Sequence, residues 1–599
     1  MVLLTTSYKP SWVIDENSEI LFANEWCKLY SDEKNWKNTN HKTFPYHWKD
    51  RNKLYADLQK LDIIYEDYLS KLTIKLNDLH NTDYSEKYWR IVIGPWLNDF
   101  IVLVYNYYAT IKNIDKSKLV TSTYIIETKW ENHVCQDITA FQESYSKPWY
   151  SHFLFGEIIK LSSKIPIKYL DTKHPYIVKV SATTGKKTFK ESLKRLLKYI
   201  LSFLYSSFLV PNKFKKIVFV SSYFSKEDLT GIQTSLKQLP FDFLFDPKAP
   251  IKQVNKKIRR EIVFKDSKDS FANILNQLLP KQIPVAYIEN YNLYNKISNL
   301  FFPKNPKVIF TSNSYYFNEA FKIWSAKKTE NKTKLLISQH GISGVSLRDP
   351  TEDHQIMISD KFYTWGWSDG TVKTKKMPSN KLNYTKKIIT HDPLGDVVCV
   401  VMSDILNYLN KQVPIPSEDG YKRYIDDLIS INQYVDQKIS INFKYRLYHT
   451  NFNREVLGAK YKFISSGLKD SIDDDDQNFY ERISKCRLVI ISYRPGTTAT
   501  EVLSANIPSL HFCPIDCGEL NQNAKKSYEV LKEAGIFHDN IKSLSGKINE
   551  VYYHVDQWWY SKKVQNAVSI FCKNYAYTDD NFMNKWVNEL DSQINIKGQ

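Results

Sequence analysis

The chain has 599 residues, too many for one core, which predicts roughly two to four domains. Its hydrophobic content of 42% and aromatic content of 14% exclude a disordered chain. The net charge of +18 comes mainly from scattered lysines. That spread fits a solvated surface or a face resting on anionic lipid, and argues against nucleic acid, which needs basic residues gathered with stacking aromatics.

Residues 1–205 read as a mainly helical region, with apolar residues at helical spacing over Lys53–Leu79 and Ser85–Ile111. The densest basic run is Lys186–Lys198, followed by Lys213, Lys215 and Lys216. The most apolar segment, Tyr199–Val210, is too short to span a bilayer and reads as a core or interfacial helix. From 206 to 370 the pattern changes to α/β. Candidate strands are Ile217–Ser222, Val285–Ile288, Val308–Thr311, Leu335–Ser338 and Phe362–Trp365, with amphipathic segments such as Asn318–Lys328 between them. Residues 371–387, polar and lysine-rich, read as a linker. A second α/β series fills 388–599, with candidate strands Val397–Met402, Asn442–Tyr448, Lys462–Ser465, Leu488–Ser492 and Ser509–Cys513, then closing helices within Asp556–Ile594. The predicted architecture is two tandem Rossmann-like domains behind a helical region. A ligand cleft should lie between the two at the strand C-termini.

The seven cysteines, Cys27, Cys135, Cys399, Cys486, Cys513, Cys517 and Cys572, are odd in number and sit partly in apolar runs. This fits buried thiols in a reducing compartment. Cys513 and Cys517 have no second pair at zinc-site spacing, so no metal is expected. The start, Met-Val-Leu-Leu-Thr-Thr-Ser, lacks a signal-peptide pattern, and no run of eighteen apolar residues occurs. A cytoplasmic location is expected, with contact to the inner face of the inner membrane left open.

Five segments could carry chemistry. Tyr493-Arg494-Pro495-Gly496-Thr497-Thr498-Ala499-Thr500-Glu501 joins a strand to a helix. Thr497, Thr498 and the helix N-terminus could hold a phosphate, Arg494 adds charge, and Glu501 could accept from a ribose hydroxyl. An ordinary capped helix would look the same. Arg446 and His449 end a strand of the same domain, as cleft contacts or a surface pair. In Ser338–Val345, Gln339, His340 and Gly341 follow a strand, and His340 could work as an acid or base or sit in a plain turn. Arg348, Asp349, Glu352 and Asp353 continue that loop. Glu289, within Tyr287–Tyr291, could be a catalytic base or nucleophile, or a cap or ion pair. The aromatics of Ser359–Trp367 read first as core, and Asp473–Asp476 as a solvated loop without EF-hand spacing.

Some of these segments belong to longer motifs. Phe22-Ala23-Asn24-Glu25-Trp26-Cys27, Tyr88-Trp89-Arg90-Ile91-Val92-Ile93-Gly94-Pro95-Trp96-Leu97, Gln339-His340-Gly341 and Tyr363-Thr364-Trp365-Gly366-Trp367 together resemble transferases of O-antigen and surface-carbohydrate loci. More distantly, the two-domain plan is similar to GT-B glycosyltransferases that use CMP-activated ulosonic acids, such as Kdo transferases. By that resemblance His449 stands at a nucleotide-binding histidine, with Thr450 where a proline is usual. Thr497 and Thr498 stand at a phosphate-binding hydroxyl pair, with Pro495-Gly496 inserted before them. The resemblance implies a metal-independent glycosyltransferase without a cofactor. Its donor would be a nucleotide sugar, CMP-linked by preference, and its acceptor a glycan or lipid-linked glycan. The C-terminal domain would hold the donor, and Glu289 and His340 would face the sugar. A CDP-alditol phosphotransferase of the teichoic-acid type and a non-catalytic membrane- or polyanion-binding protein are the alternatives.

Overall fold

A computed structural model of the protein describes residues 1–7, 18–29, 32–145, 147–170, 189–402, 418–447, 458–473, 477–494, 496–514 and 518–595. His449, Thr450, Pro495, Cys517, Asp474–Asp476 and the start of the 186–198 basic run lie outside the described residues. Strands among the described residues form three all-parallel sheets.

The first sheet belongs to the N-terminal region. It comprises β1 (Val2–Leu4), β2 (Ile20–Phe22), β3 (His41–Thr43), β4 (Ser122–Ile126) and β5 (Ile167–Leu170), in the order β3-β2-β1-β4-β5. Helices still make up most of this region, but they pack around a sheet that periodicity does not reveal. Its strands are three to five residues long, and β1, β2 and β4 are buried throughout, so they lack the in–out alternation that marks a half-exposed strand. Two long helices, Arg51–His80 and Glu86–Ser117, pack on each other. Asp50 caps the first by accepting from the Asn52 and Lys53 amides, and Ser85 caps the second by accepting from the Tyr88 amide.

The second sheet comprises β6 (Ile217–Val220), β7 (Asp242–Phe243), β8 (Val308–Thr311), β9 (Lys334–Ser338), β10 (Lys361–Thr364) and β11 (Thr374–Lys376), in the order β11-β10-β9-β8-β6-β7. The apolar run Val285–Ile288 is not one of its strands. It forms a single 3-10 turn after Pro284, and the Val285 and Ala286 amides donate to the carbonyls of Cys135 and Gln136 at 2.9 and 2.8 Å. The N-terminal region thus takes the hydrogen bonds a sheet would have used.

The segment 371–387 is not a free linker. It contains β11 and runs into the Leu382–Ile388 helix, with Asn380 wholly buried between them. Asn380 Nδ2 donates to the Ser222 carbonyl at 2.6 Å and to Ser312 Oγ at 3.0 Å. Its Oδ1 accepts from Ser338 Oγ and Trp365 Nε1, both at 3.1 Å. One amide therefore ties together the C-terminal ends of β6, β8, β9 and β10.

The third sheet comprises β12 (Asp396–Val400), β13 (Phe443–Arg446), β14 (Cys486–Ile491), β15 (Ser509–Phe512) and β16 (Phe537–His538), in the order β13-β12-β14-β15-β16. Residues 462–465 are not a strand here but part of the Ala459–Ser465 helix. Ala459 and Phe463, one helical turn apart, are its buried residues. The last helix, Phe582–Asn595, leaves the third sheet and returns to the second. Phe582, Trp586 and Leu590 join Ile217, Phe219, Val308 and Phe310 in one core, and Trp586 Nε1 donates to the Pro378 carbonyl at 3.0 Å. The closing helices are thus shared between the two domains.

Candidate functional site

The two Rossmann-like domains meet where their strands end. β9 runs into Gln339-His340-Gly341-Ile342, and β14 leads to the Thr497–Ser504 helix. Thr497 Oγ1 accepts a hydrogen bond from the Ile342 amide at 3.1 Å. Gly341 permits this approach, since a Cβ there would lie 2.7 Å from Thr497 Oγ1. The N-cap of the Thr497–Ser504 helix is Gly496, so no N-cap side chain takes up its first amides. Its first amides therefore keep capacity for an anion.

A cavity of about 350 Å³ opens at this junction. Gln339, His340, Gly341, Glu352, Lys381 and Thr497 are among its lining residues. Gln339 holds the loop in shape. Its Oε1 accepts from the Trp365 amide at 2.8 Å and Trp367 Nε1 at 3.0 Å, and its Nε2 donates to the Gly341 carbonyl at 2.8 Å. Trp365 and Trp367 are buried, so the aromatic motif supports the loop from behind. Gly344 has φ +70°, and a Cβ there would run into the Trp367 indole. Its amide donates to Glu352 Oε2 at 2.6 Å.

Two titratable groups of the cavity are strongly shifted. Burial, reinforced by the Lys381 ammonium, lowers the His340 imidazole to about 4, so it is neutral at pH 7. Burial, reinforced by the Asp349 carboxylate, raises the Glu352 carboxyl to about 8, against the smaller opposing effects of the Gly344 amide and Ser343. Lys381 pairs with Glu501 at 2.5 Å, and Tyr480 Oη donates to the same carboxylate oxygen at 2.9 Å. Glu501 is thereby engaged as an anchor for Lys381 rather than open to a ribose.

The other expected residues lie elsewhere. Glu289 does not line this cavity. Its carboxylate makes a buried two-point pair with Arg259, at 2.7 Å to Nε and 2.8 Å to Nη2, and also accepts from the Asn255 amide at 2.9 Å. A carboxylate so fully committed is a structural anion, which corrects its expected catalytic role. Arg348 forms a two-point pair with Asp62 and ties the loop to the Arg51–His80 helix. Arg446 pairs with Asp473 at 3.1 Å and donates to the Gln477 carbonyl at 2.7 Å. Arg494 lies over the rings of Tyr528 and Phe537, 5.2 Å from each centroid, and donates to the Gly518 carbonyl at 2.7 Å. Neither arginine lines the cavity. Thr498 Oγ1 bonds Tyr493 Oη at 2.9 Å. Among the described residues no group of His, Cys, Asp and Glu is arranged to hold a metal.

A second cavity of about 410 Å³ shares Thr351 with the first. It lies between the N-terminal helices and the Pro350–Ile358 helix, and Asp62, Glu66, Asp99, Asp353 and His354 are among its lining. Gly94 and Pro95 of the long motif also line it. Pro95 sits inside the Glu86–Ser117 helix and, having no N–H, cannot donate to the Ile91 carbonyl one turn earlier.

The residues that line the two cavities run from Asp62 to Thr497, and the family-level match contains that whole span. The chain belongs to the LIC12162 family of transferases. The family model matches residues 1–590. No curated protein matches the chain. Among solved structures, this LIC12162 family member is similar to HepE of Anabaena in complex with UDP and glucose, with 11% identity, 63% of this chain and 99% of that chain covered, and a TM-score of 0.35. It is also similar to MnaA of S. aureus with UDP, with 9% identity, 64% and 97% covered, and a TM-score of 0.37. WaaG, a glycosyltransferase of lipopolysaccharide biosynthesis, matches at 12% identity, 64% and 99% covered, and a TM-score of 0.26.

Proposed function

We propose that this transferase is a glycosyltransferase that moves a sugar from a nucleotide donor to a hydroxyl of a surface-glycan or lipid-linked glycan acceptor. One observation carries the reading: the Thr497–Ile342 hydrogen bond, which brings an uncapped helix N-terminus and Lys381 into one cavity with Glu352 and His340. The helix amides, the Thr497 hydroxyl and the Lys381 ammonium stabilise the phosphate that leaves. The acceptor hydroxyl attacks the anomeric carbon as the bond from that carbon to the phosphate oxygen breaks. Glu352, as carboxylate, takes the hydroxyl proton. Neutral His340 serves as a hydrogen-bonding group beside the reacting sugar.

The second cavity supports an acceptor side, since carboxylates lining a pocket suit a polyhydroxylated ligand. A CMP-activated sugar such as Kdo is the donor we favour, by the resemblance that sets Thr497, which lines the cavity, at a phosphate-binding hydroxyl. Thermal unfolding with CMP, CDP, UDP, GDP and their sugars tests the reading. Saturable stabilisation by one base, lost in Lys381→Met, is the expected result. Stabilisation by none of them overturns it.

A further inference from the structure

The Phe189–Ser206 helix is amphipathic in the reverse sense of an ordinary surface helix. Tyr199, Ser202, Tyr205 and Ser206 face the protein, while Lys194 and Lys198 stay exposed. Ser202 and Ser206 are buried, Ser206 Oγ donates to the Phe301 carbonyl at 2.7 Å, and the Tyr199 ring packs 5.0 Å from that of Phe301. Tyr205 stacks on Phe241 at 4.6 Å, beside β7, the edge strand of the second sheet. Buried Lys215 closes the helix C-terminus, with Nζ donating to the carbonyls of Tyr205, Ser206 and Ser207 at 3.2, 3.3 and 2.6 Å. The helix is therefore anchored along its polar side.

The opposite side is apolar and open to solvent. Leu193, Leu196, Leu197, Ile200, Leu201 and Leu204 form one stripe, with Leu197 51% and Leu201 53% exposed. Phe208, 92% exposed, and Leu209 extend it past the helix end. A stripe of this size on a fixed helix implies something that covers it. The surrounding charge selects what. Between 186 and 198 the sequence carries six basic residues and one acidic, Glu191. Lys194 and Lys198 lie among the exposed leucines. A second copy of the chain would bring the Lys194 and Lys198 charges of two helices together, whereas an anionic bilayer neutralises them.

We propose that the Phe189–Ser206 helix lies in the headgroup layer of an anionic membrane, its leucine stripe inserted and its lysines on lipid phosphates. The helix is too short and too charged to cross, and among the described residues no helix is long and apolar enough to do so. The geometry is that of an in-plane helix.

Co-sedimentation of the full chain with vesicles of phosphatidylglycerol and phosphatidylcholine in equal parts provides the test. The protein should sediment with these vesicles and much less with phosphatidylcholine alone. The double variant Leu197→Glu, Leu201→Glu should lose at least about tenfold in vesicle affinity while keeping its unfolding temperature and its response to nucleotides. Both positions are exposed, so the fold does not rest on them. Wild-type protein that ignores the anionic vesicles at low salt overturns the proposal. So does a double variant that binds them as well as wild type, or one that changes only the oligomeric state.

Discussion

Two carboxylates of the second-sheet domain, Glu289 buried and Glu352 half-buried, follow opposite designs. Glu289 is met by the Arg259 guanidinium at two points and by a backbone amide. Glu352 is met by the Gly344 amide and Ser343, with Asp349 as a like-charged neighbour. Burial costs both groups solvation. Only Glu289 has a full counter-charge to offset it, so Glu352 holds its proton to about pH 8. The contrast teaches that burial alone does not mark a catalytic carboxylate. What matters is whether the charge is already matched. The family motifs point to neither residue, and the sequence draws attention first to Glu289.

Substitutions should separate the two. Glu352→Gln is expected to lower turnover by about 10²–10⁴-fold with little change in unfolding temperature at acid pH, where the carboxyl is neutral in both states, measured by steady-state kinetics and thermal melts. Unchanged turnover would end the comparison. Glu289→Gln should instead destabilise the fold by about 3–5 kcal/mol, because Arg259 is left buried and unmatched, while the folded fraction keeps its turnover. Denaturant titration reads the first and active-site counting the second. Gly341→Ala pushes a methyl into Thr497 and should cost about 10²-fold in turnover by parting the loop from the helix. In a Thr497→Ala background, which lacks the hydroxyl that the methyl meets, Gly341→Ala should cost less than it does in the wild type, and an equal cost would place the effect away from that contact.

The smallest expected effect is on pH dependence. As a base, Glu352 must lose its proton, so turnover should climb with pH towards about 8, and that limb should vanish in Glu352→Gln. Its stability effect has the opposite sign. The folded carboxyl titrates above its unfolded value, so the native state binds more protons across the interval between an ordinary carboxyl and about pH 8. Stability therefore falls as pH rises through that window, and Glu352→Gln should flatten the fall in unfolding temperature.

Much of the site is legible in the sequence. Gln339-His340-Gly341 and Thr497 end strands at Gly-containing turns, and such turns mark where a parallel sheet meets a ligand. Lys381 is hidden by composition, since it sits in a lysine-rich stretch that reads as a linker, yet Asn380 beside it is buried on four strand ends. Arg446 and Arg494 look like cleft cations because their carbonyl, carboxylate and ring partners come from distant segments. The strand-like run at 285–288 misleads for a similar reason, because its hydrogen bonds go to residues 135 and 136. The N-terminal sheet escapes notice because short strands buried on both faces carry no alternation.

The return of the Phe582–Asn595 helix has a consequence for synthesis. The residues of the second sheet emerge from the ribosome by Lys376, but Trp586, which completes their core, is translated about two hundred residues later. At ~5–20 residues per second the apolar face built from Ile217, Phe219 and Phe310 waits on the order of ten to forty seconds for its cover. A ribosome stalled before residue 582 would thus display a nearly finished domain with one greasy side open, and chains cut there should be captured by chaperones or lost to aggregation.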